Sequence, residues 1–309
     1  SPQQSNVTSY EATVLAIITL EAFAGLWINA FIVCVLCIAW VRKKTLNSNE
    51  KILLLLGCSR FSYLCFSWVY HFLSTFYPNY LYVHPIFQVV ITIQTFLNSS
   101  DFCVSTCLCA FYCIKIANFR NSFFIYLKVK IDRIVPWLLL GSGIFSLVLG
   151  ILAYDIADKV QCKNSTGTQN LWKINIKVDE HFLPFYFVTG LLFLTSFTAV
   201  LFSAVFLLFS LWRHKCKIQK NSMNSLSMEA HIKAMKAVLS FFIIYNINFI
   251  TMIATMIFSA EGSHIMFFIY VFLYAFPGLH TIILILSNAR LKITLLRILP
   301  CMKCKVCMK

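Results

Sequence analysis

IFQVVITIQTFLNSSDFCVSTCLCAFYCIK, residues 86–115, is the stretch whose reading decides the fold. A helix needs about 20 residues to cross a bilayer core, and this run is longer and carries no charge between its ends except Asp101. Yet Gln94, Asn98, Asp101, Ser105, Tyr112 and Lys115 recur at spacings of three, four or seven, which sets them along one helical face. Polar groups are costly against lipid, so that face must look onto other helices. A lone membrane anchor is thereby excluded and an all-α bundle is predicted.

Further apolar runs long enough to span lie at 13–41, 51–73, 134–154, 182–212, 234–259 and 265–288, which with 86–115 makes seven helices. The predicted organisation is a tail at 1–12, a membrane domain at 13–288 and a basic, Cys-containing tail at 289–309. Composition agrees, since 60% of residues are hydrophobic and 12% charged, whereas soluble domains are nearer half apolar and a quarter charged. The first run is too long and too well bounded by polar flanks for a cleaved signal peptide, and is read as a true span.

The chain carries 26 Lys and Arg against 11 Asp and Glu. Segments around 42–51, 115–133, 213–236 and 290–309 hold four, five, six and six of those cations, the opposite loops hold Lys159, Lys163, Lys173 and Lys177, and Arg60 lies inside the second span. Lys and Arg accumulate in cytoplasmic loops. The excess of charge therefore encodes topology, with the N-terminus outside and the C-terminus cytoplasmic, and no nucleic-acid partner is implied. Tyr77, Tyr80, Trp137 and Trp212 stand at span edges, as interfacial anchors do.

Glycosylation sequons begin at Asn164, in the longest outer segment, and at Asn6, in the N-terminal tail. A third, at Asn98, falls inside a span where no glycan attaches. Of 13 cysteines only Cys162 is clearly extracellular, so no outer-loop disulfide is expected. Cys301, Cys304 and Cys307 stand among Lys303, Lys305 and Lys309, a juxtamembrane pattern that suits palmitoylation beside anionic lipid. Zinc would need a fourth ligand, which a tail without His does not supply. No cofactor or metal is expected.

Several multi-residue blocks resemble the bitter taste receptors, the type 2 taste receptor family of G-protein-coupled receptors. Phe111-Tyr112-Cys113-Ile114-Lys115-Ile116-Ala117-Asn118-Phe119 is similar to the cytoplasmic end of that family's third helix. Leu207-Leu208-Phe209-Ser210-Leu211-Trp212-Arg213-His214 resembles the end of its fifth helix, and Glu229-Ala230-His231-Ile232-Lys233-Ala234 the start of its sixth. Phe276-Pro277-Gly278-Leu279-His280-Thr281 and Ser287-Asn288-Ala289-Arg290-Leu291-Lys292 look like the seventh. Asn29 and Ser59-Arg60-Phe61 match the first two helices. The chain departs from the pattern at Gln94 and Cys103, where the family commonly has Trp, at Ser196, where it frequently has Pro, and at Ser225-Leu226, where Asp-Pro is usual.

The resemblance implies a seven-transmembrane receptor of the plasma membrane that binds small bitter compounds from outside and activates a heterotrimeric G protein of the gustducin or inhibitory type. It implies ligand contact from Gln94 and Asn98, joined at similar height by Trp68, His71, Asn248, Met252 and Tyr270. Amides at that depth either read a ligand's polar atoms or act as interhelical polar glue. Coupling to the G protein is assigned by the resemblance to Tyr112, Lys115, Leu207, Ser210, Leu211 and His231.

Arg60 and Asp101 are costly alone in the bilayer centre, about 2.5–3.5 kcal/mol each on insertion scales. They are predicted to pair, with Asn29 and Asn288 completing the hydrogen bonds and His280 belonging to the same interhelical switch. Glu21, nearer the outer end of the first helix, is read as structural. Two other readings are kept: a vomeronasal-type chemoreceptor, and a seven-helix transporter with Arg60, Asp101 and Glu21 as a charge pathway. Glu229 and His231 are two residues apart and share no helical face, so no catalytic constellation appears and an enzyme is not expected.

Overall fold

The computed structural model describes residues 9–81, 83–116, 122–165, 183–220, 239, 242–244, 246–251, 253–254 and 264–306. Among them every long element is a helix: α1 Ser9–Lys43, α2 Ser48–Phe76, the single turn α3 Pro78–Leu81, α4 Ile86–Ile116, α5 Ser122–Ser165, α6 Leu183–Lys220, α7 His264–Ser287 and α8 Ala289–Val306. Five are long and apolar enough to cross a membrane, over Ala12–Lys43, Ser48–Phe76, Ile86–Lys115, Phe124–Lys159 and Phe267–Ser287. Within α6, Leu194–Ser210 is a shorter apolar stretch, and Phe242–Thr251 is helical where it is described.

Local chemistry sets the breaks. α1 ends where Lys44 turns to a left-handed φ of 56° and its N–H bonds back to the Trp40 carbonyl at 2.7 Å, a common way to satisfy the last carbonyls of a helix. α2 opens on Asn47, whose N–H donates to Glu50 Oε2 at 3.1 Å, the returning half of a capping box. Pro277 sits inside α7 and offers no N–H to the turn before it. The Thr281 hydroxyl donates to the Pro277 carbonyl at 2.6 Å.

α4 packs against α5, α2 and α6, while α1 packs against α2 and α7. Three buried clusters lie along the bundle. One gathers Leu36 near the end of α1, Ile52 near the start of α2, Phe111 near the end of α4 and Leu284 near the end of α7, which defines the inner end. Another gathers Ile18, Tyr63, Leu64 and Tyr274 at the outer end, with Trp68, Leu97 and Tyr270 against them. Between α4, α6 and α7 lie Phe102, Cys109, Val200 and Phe276. Large apolar side chains also cover the outside: Trp27, Val41, Val129 and Trp137 are each more than 70% exposed. Such a coat is an aggregation hazard in water and a fitting surface in lipid.

α1 and α7 cross at two glycines. A Cβ on Gly278 would stand 3.5 Å from the Gly25 Cα, and one on Gly25 would stand 2.7 Å from Leu64 Cδ1. Small residues at helix crossings let membrane helices approach closely.

Candidate functional site

The centre of the bundle is a polar node. Arg60 of α2 is fully buried, and its Nε donates to Asp101 Oδ1 of α4 at 2.8 Å. One terminal nitrogen donates to Thr281 Oγ1 of α7 at 3.2 Å; the other donates to Ser105 Oγ of α4 at 3.2 Å and to His280 Nδ1 of α7. A guanidinium only donates, so His280 Nδ1 must present its lone pair, which places the ring proton on Nε2. The Phe276 ring lies 5.7 Å from the guanidinium carbon, within cation–π reach. The Thr281 hydroxyl is 2.9 Å from Asn29 Oδ1, and the Asn29 amide donates to the Gly25 carbonyl at 2.8 Å. Four helices therefore meet on one cation and one anion.

The structure thus brings Asn29, Arg60, Asp101 and His280 together, and it adds Ser105 and Thr281. Asn288 does not join them. Its Oδ1 accepts from the N–H groups of Arg290 and Leu291 at 3.0 and 3.3 Å, which caps α8. Thr281 takes the place by Arg60 that the sequence reading gave to Asn288. Those two positions are seven residues apart, hence two turns apart along one face of α7.

Toward the outer end, Trp68 donates its indole N–H to Thr19 Oγ1 at 3.0 Å and lies against Phe23 and Phe72, joining α2 to α1. The His71 ring is 4.9 Å from that of Tyr270 and 5.5 Å from that of Tyr274. Gln94 and Asn98 are half-buried on α4, one to two turns outward of Asp101. Asn248 is buried, and Met252 lies outside the described residues. Sequence reasoning passed over Tyr63, Ser67 and Tyr274, whose buried hydroxyls share this end; a period of three to four between Ser67 and Tyr63 or His71 was the available signal.

At the inner end, Lys115 Nζ donates to Asp132 Oδ2 of α5 at 2.8 Å, both half-exposed. Around them a cleft of about 540 Å³ is lined by Leu46, Asn47, Ser48, Asn49, Lys51, Phe111, Lys115 and Asp132. Tyr112 stands beside Asn49. Glu50 pairs with Arg290, tying the start of α2 to the start of α8. Leu207 is buried and Ser210 half-buried on α6, which also includes Leu211. His231, Asn6 and Cys307 lie outside the described residues; Asn164 falls in the last turn of α5, and Cys301 and Cys304 fall in α8.

The arrangement contains linked polar contacts and aromatic packing, which suit binding and conformational switching. Comparison with known proteins gives it a family. Residues 7–303 match the model of the family described as Taste receptor protein (TAS2R). The chain is 32% identical over 306 residues to Taste receptor type 2 member 2 of Homo sapiens, covering 96% of this chain and 98% of that one. It is 31% identical over 297 residues to Taste receptor type 2 member 7 of Macaca mulatta, covering 94% and 93%. It is also 30% identical over 303 residues to Taste receptor type 2 member 9 of Homo sapiens, covering 96% of each.

Proposed function

The chain belongs to the taste receptor (TAS2R) family, and from that premise we propose that it is a bitter taste receptor that couples small extracellular molecules to a heterotrimeric G protein. Membership makes it a seven-helix, multi-pass receptor of the plasma membrane, not an enzyme, and leaves the vomeronasal and transporter readings without support. The N-terminus faces outward and the tail inward, following the Lys and Arg bias. The ligand sits among Gln94, Asn98, His71, Tyr270 and Asn248 in the outer half. The G protein, of the gustducin or inhibitory type, meets the inner ends through Tyr112, Lys115, Leu207, Ser210, Leu211 and His231.

The observation that carries this reading is the node at Arg60. It joins α1, α2, α4 and α7 through Asn29, Asp101, His280 and Thr281, between an aromatic outer end and a charged inner cleft. A ligand that prefers one packing of those helices shifts the population of the other end, with no chemical step required. The test is calcium release in cells that carry a gustducin-containing chimeric G protein, with a panel of bitter compounds. Concentration-dependent release by one or more is expected; silence across the panel from receptor shown to be at the surface overturns the proposal.

A further inference from the structure

The first turn of α2 holds three other helices at the inner end. The Ser48 hydroxyl hydrogen-bonds the Asp132 carboxylate of α5, and Lys51 lies close enough to add its charge there. Asn49 is hydrogen-bonded to Tyr112 of α4; its Oδ1 has no partner, so the amide N–H is what donates to the tyrosine oxygen. Glu50 holds Arg290 of α8. Asp132 in turn holds Lys115 of α4 at 2.8 Å. The cleft of about 540 Å³ at this end is lined by Ser48, Asn49 and Lys51 together with Phe111, Lys115 and Asp132.

Two of the groups so held, Tyr112 and Lys115, are those proposed above to meet the G protein beside Leu207 and Ser210 of α6. Cys109, whose Sγ reaches the Val200 carbonyl at 3.9 Å, marks the flank of α4 that faces α6. With residues advancing by about 100° each, Tyr112 and Lys115 lie about 60° and 120° round from it, toward Phe111, which packs with Ile52 and Leu53 of α2. A G protein that reaches them from the α6 side finds both already engaged. The contacts that engage them are weak. Lys115 and Asp132 are both half-exposed, and an exposed ion pair shifts a two-state equilibrium by a factor of no more than about five. That strength suits a contact to be exchanged on binding, whereas the buried pair of Arg60 and Asp101 is needed for the bundle itself.

We propose that Ser48, Asn49 and Asp132 form an autoinhibitory clasp at the inner end, which holds Tyr112 and Lys115 toward α2 and α5 in the resting receptor and gives them up when the G protein binds. The inference rests on the ligand-activated receptor reading and supplies a regulation for its coupling site.

Inositol phosphate accumulation without agonist, normalised to receptor at the cell surface, tests the clasp in cells that carry the chimeric G protein. D132N keeps the shape of the side chain and removes its charge, so it raises the agonist-free signal about two- to fivefold, the range an exposed pair allows. N49A, which releases Tyr112, raises it as well. K115M breaks the same ion pair from the other side but removes a coupling group; its agonist-free signal is no higher than that of the wild type, and its maximal agonist response falls. A purely structural pair makes D132N and K115M behave alike. D132N or N49A at the wild-type agonist-free level, or D132N and K115M shifting the signal in the same direction, overturns the clasp while an agonist response in the wild type leaves the receptor reading standing. S48A, which loses only a hydroxyl, replaces D132N where that variant does not reach the surface: the same rise is expected, and a wild-type level overturns the clasp. Silence of the wild type toward every compound sinks the receptor reading and the clasp with it.

Discussion

Replacing Asp101 with Ala tests the node at Arg60 most directly. In the wild type the guanidinium has one charged partner, Asp101, at 2.8 Å, and three neutral acceptors, Thr281, Ser105 and His280. The substitution removes the counter-charge and leaves the three acceptors, so a fully buried cation remains uncompensated. Removing one partner of a buried pair costs about 3–5 kcal/mol. At about 2 °C per kcal/mol, the lower end for sizeable domains, the unfolding midpoint falls by about 6–10 °C. Asp101→Asn keeps an acceptor for Nε and loses only the charge, so its loss is smaller. The swap of Arg60→Asp with Asp101→Arg restores the attraction but moves the guanidinium from the place around which Thr281, Ser105 and His280 are arranged, and so recovers part of the loss. The assay is a thermal scan of purified receptor beside its basal signalling, which rises in Asp101→Ala because the strap between α2, α4 and α7 is loosened. An Asp101→Ala receptor with wild-type melting and wild-type basal signal refutes the reasoning, as does a swap no better than the sum of its single changes.

Gly25→Val sets a Cβ 2.7 Å from Leu64 Cδ1 and lowers stability by about 1–3 kcal/mol, the usual cost of overpacking; Leu64→Ala in the same chain relieves part of it, read by the same thermal scan. On the proposed ligand site, Asn98→Ala weakens agonist response while surface expression persists, since Asn98 is a half-buried amide in the outer part of α4; unaltered dose–response curves across several agonists remove Asn98 from the site. If Asn164 carries a glycan in mammalian cells, as its sequon predicts, glycosidase treatment increases gel mobility and Asn164→Gln lowers surface delivery; unchanged mobility on treatment refutes the assignment.

The parts of this molecule that were legible in sequence are those where lipid leaves no alternative. Arg60 and Asp101 had to find each other because neither is tolerable alone at mid-membrane, and the three-four-seven stripe on α4 told which way Asp101 faced. The remaining partners of Arg60 depend on how far α7 is displaced along α2, which periodicity does not report. A shift of two turns along one face exchanges Thr281 for Asn288, and both are small polar residues that fit the same pattern. Asn288 caps a helix at Ala289–Val306, within a stretch read from sequence as a basic tail. Its signal was present in Leu291, Leu295 and Ile298, spaced at three and four, but three cysteines among lysines drew the reading toward lipid attachment. Glu21 shows the limit from the other side. Height alone assigns it to the outer turns of α1, where water suffices as a partner. Only the crossing of Gly25 on Gly278, a contact between residues far apart in the chain, shows how closely α1 and α7 approach one turn inward of it. Charges that must be compensated are written in the sequence, whereas the partners that compensate them are set by how the helices cross.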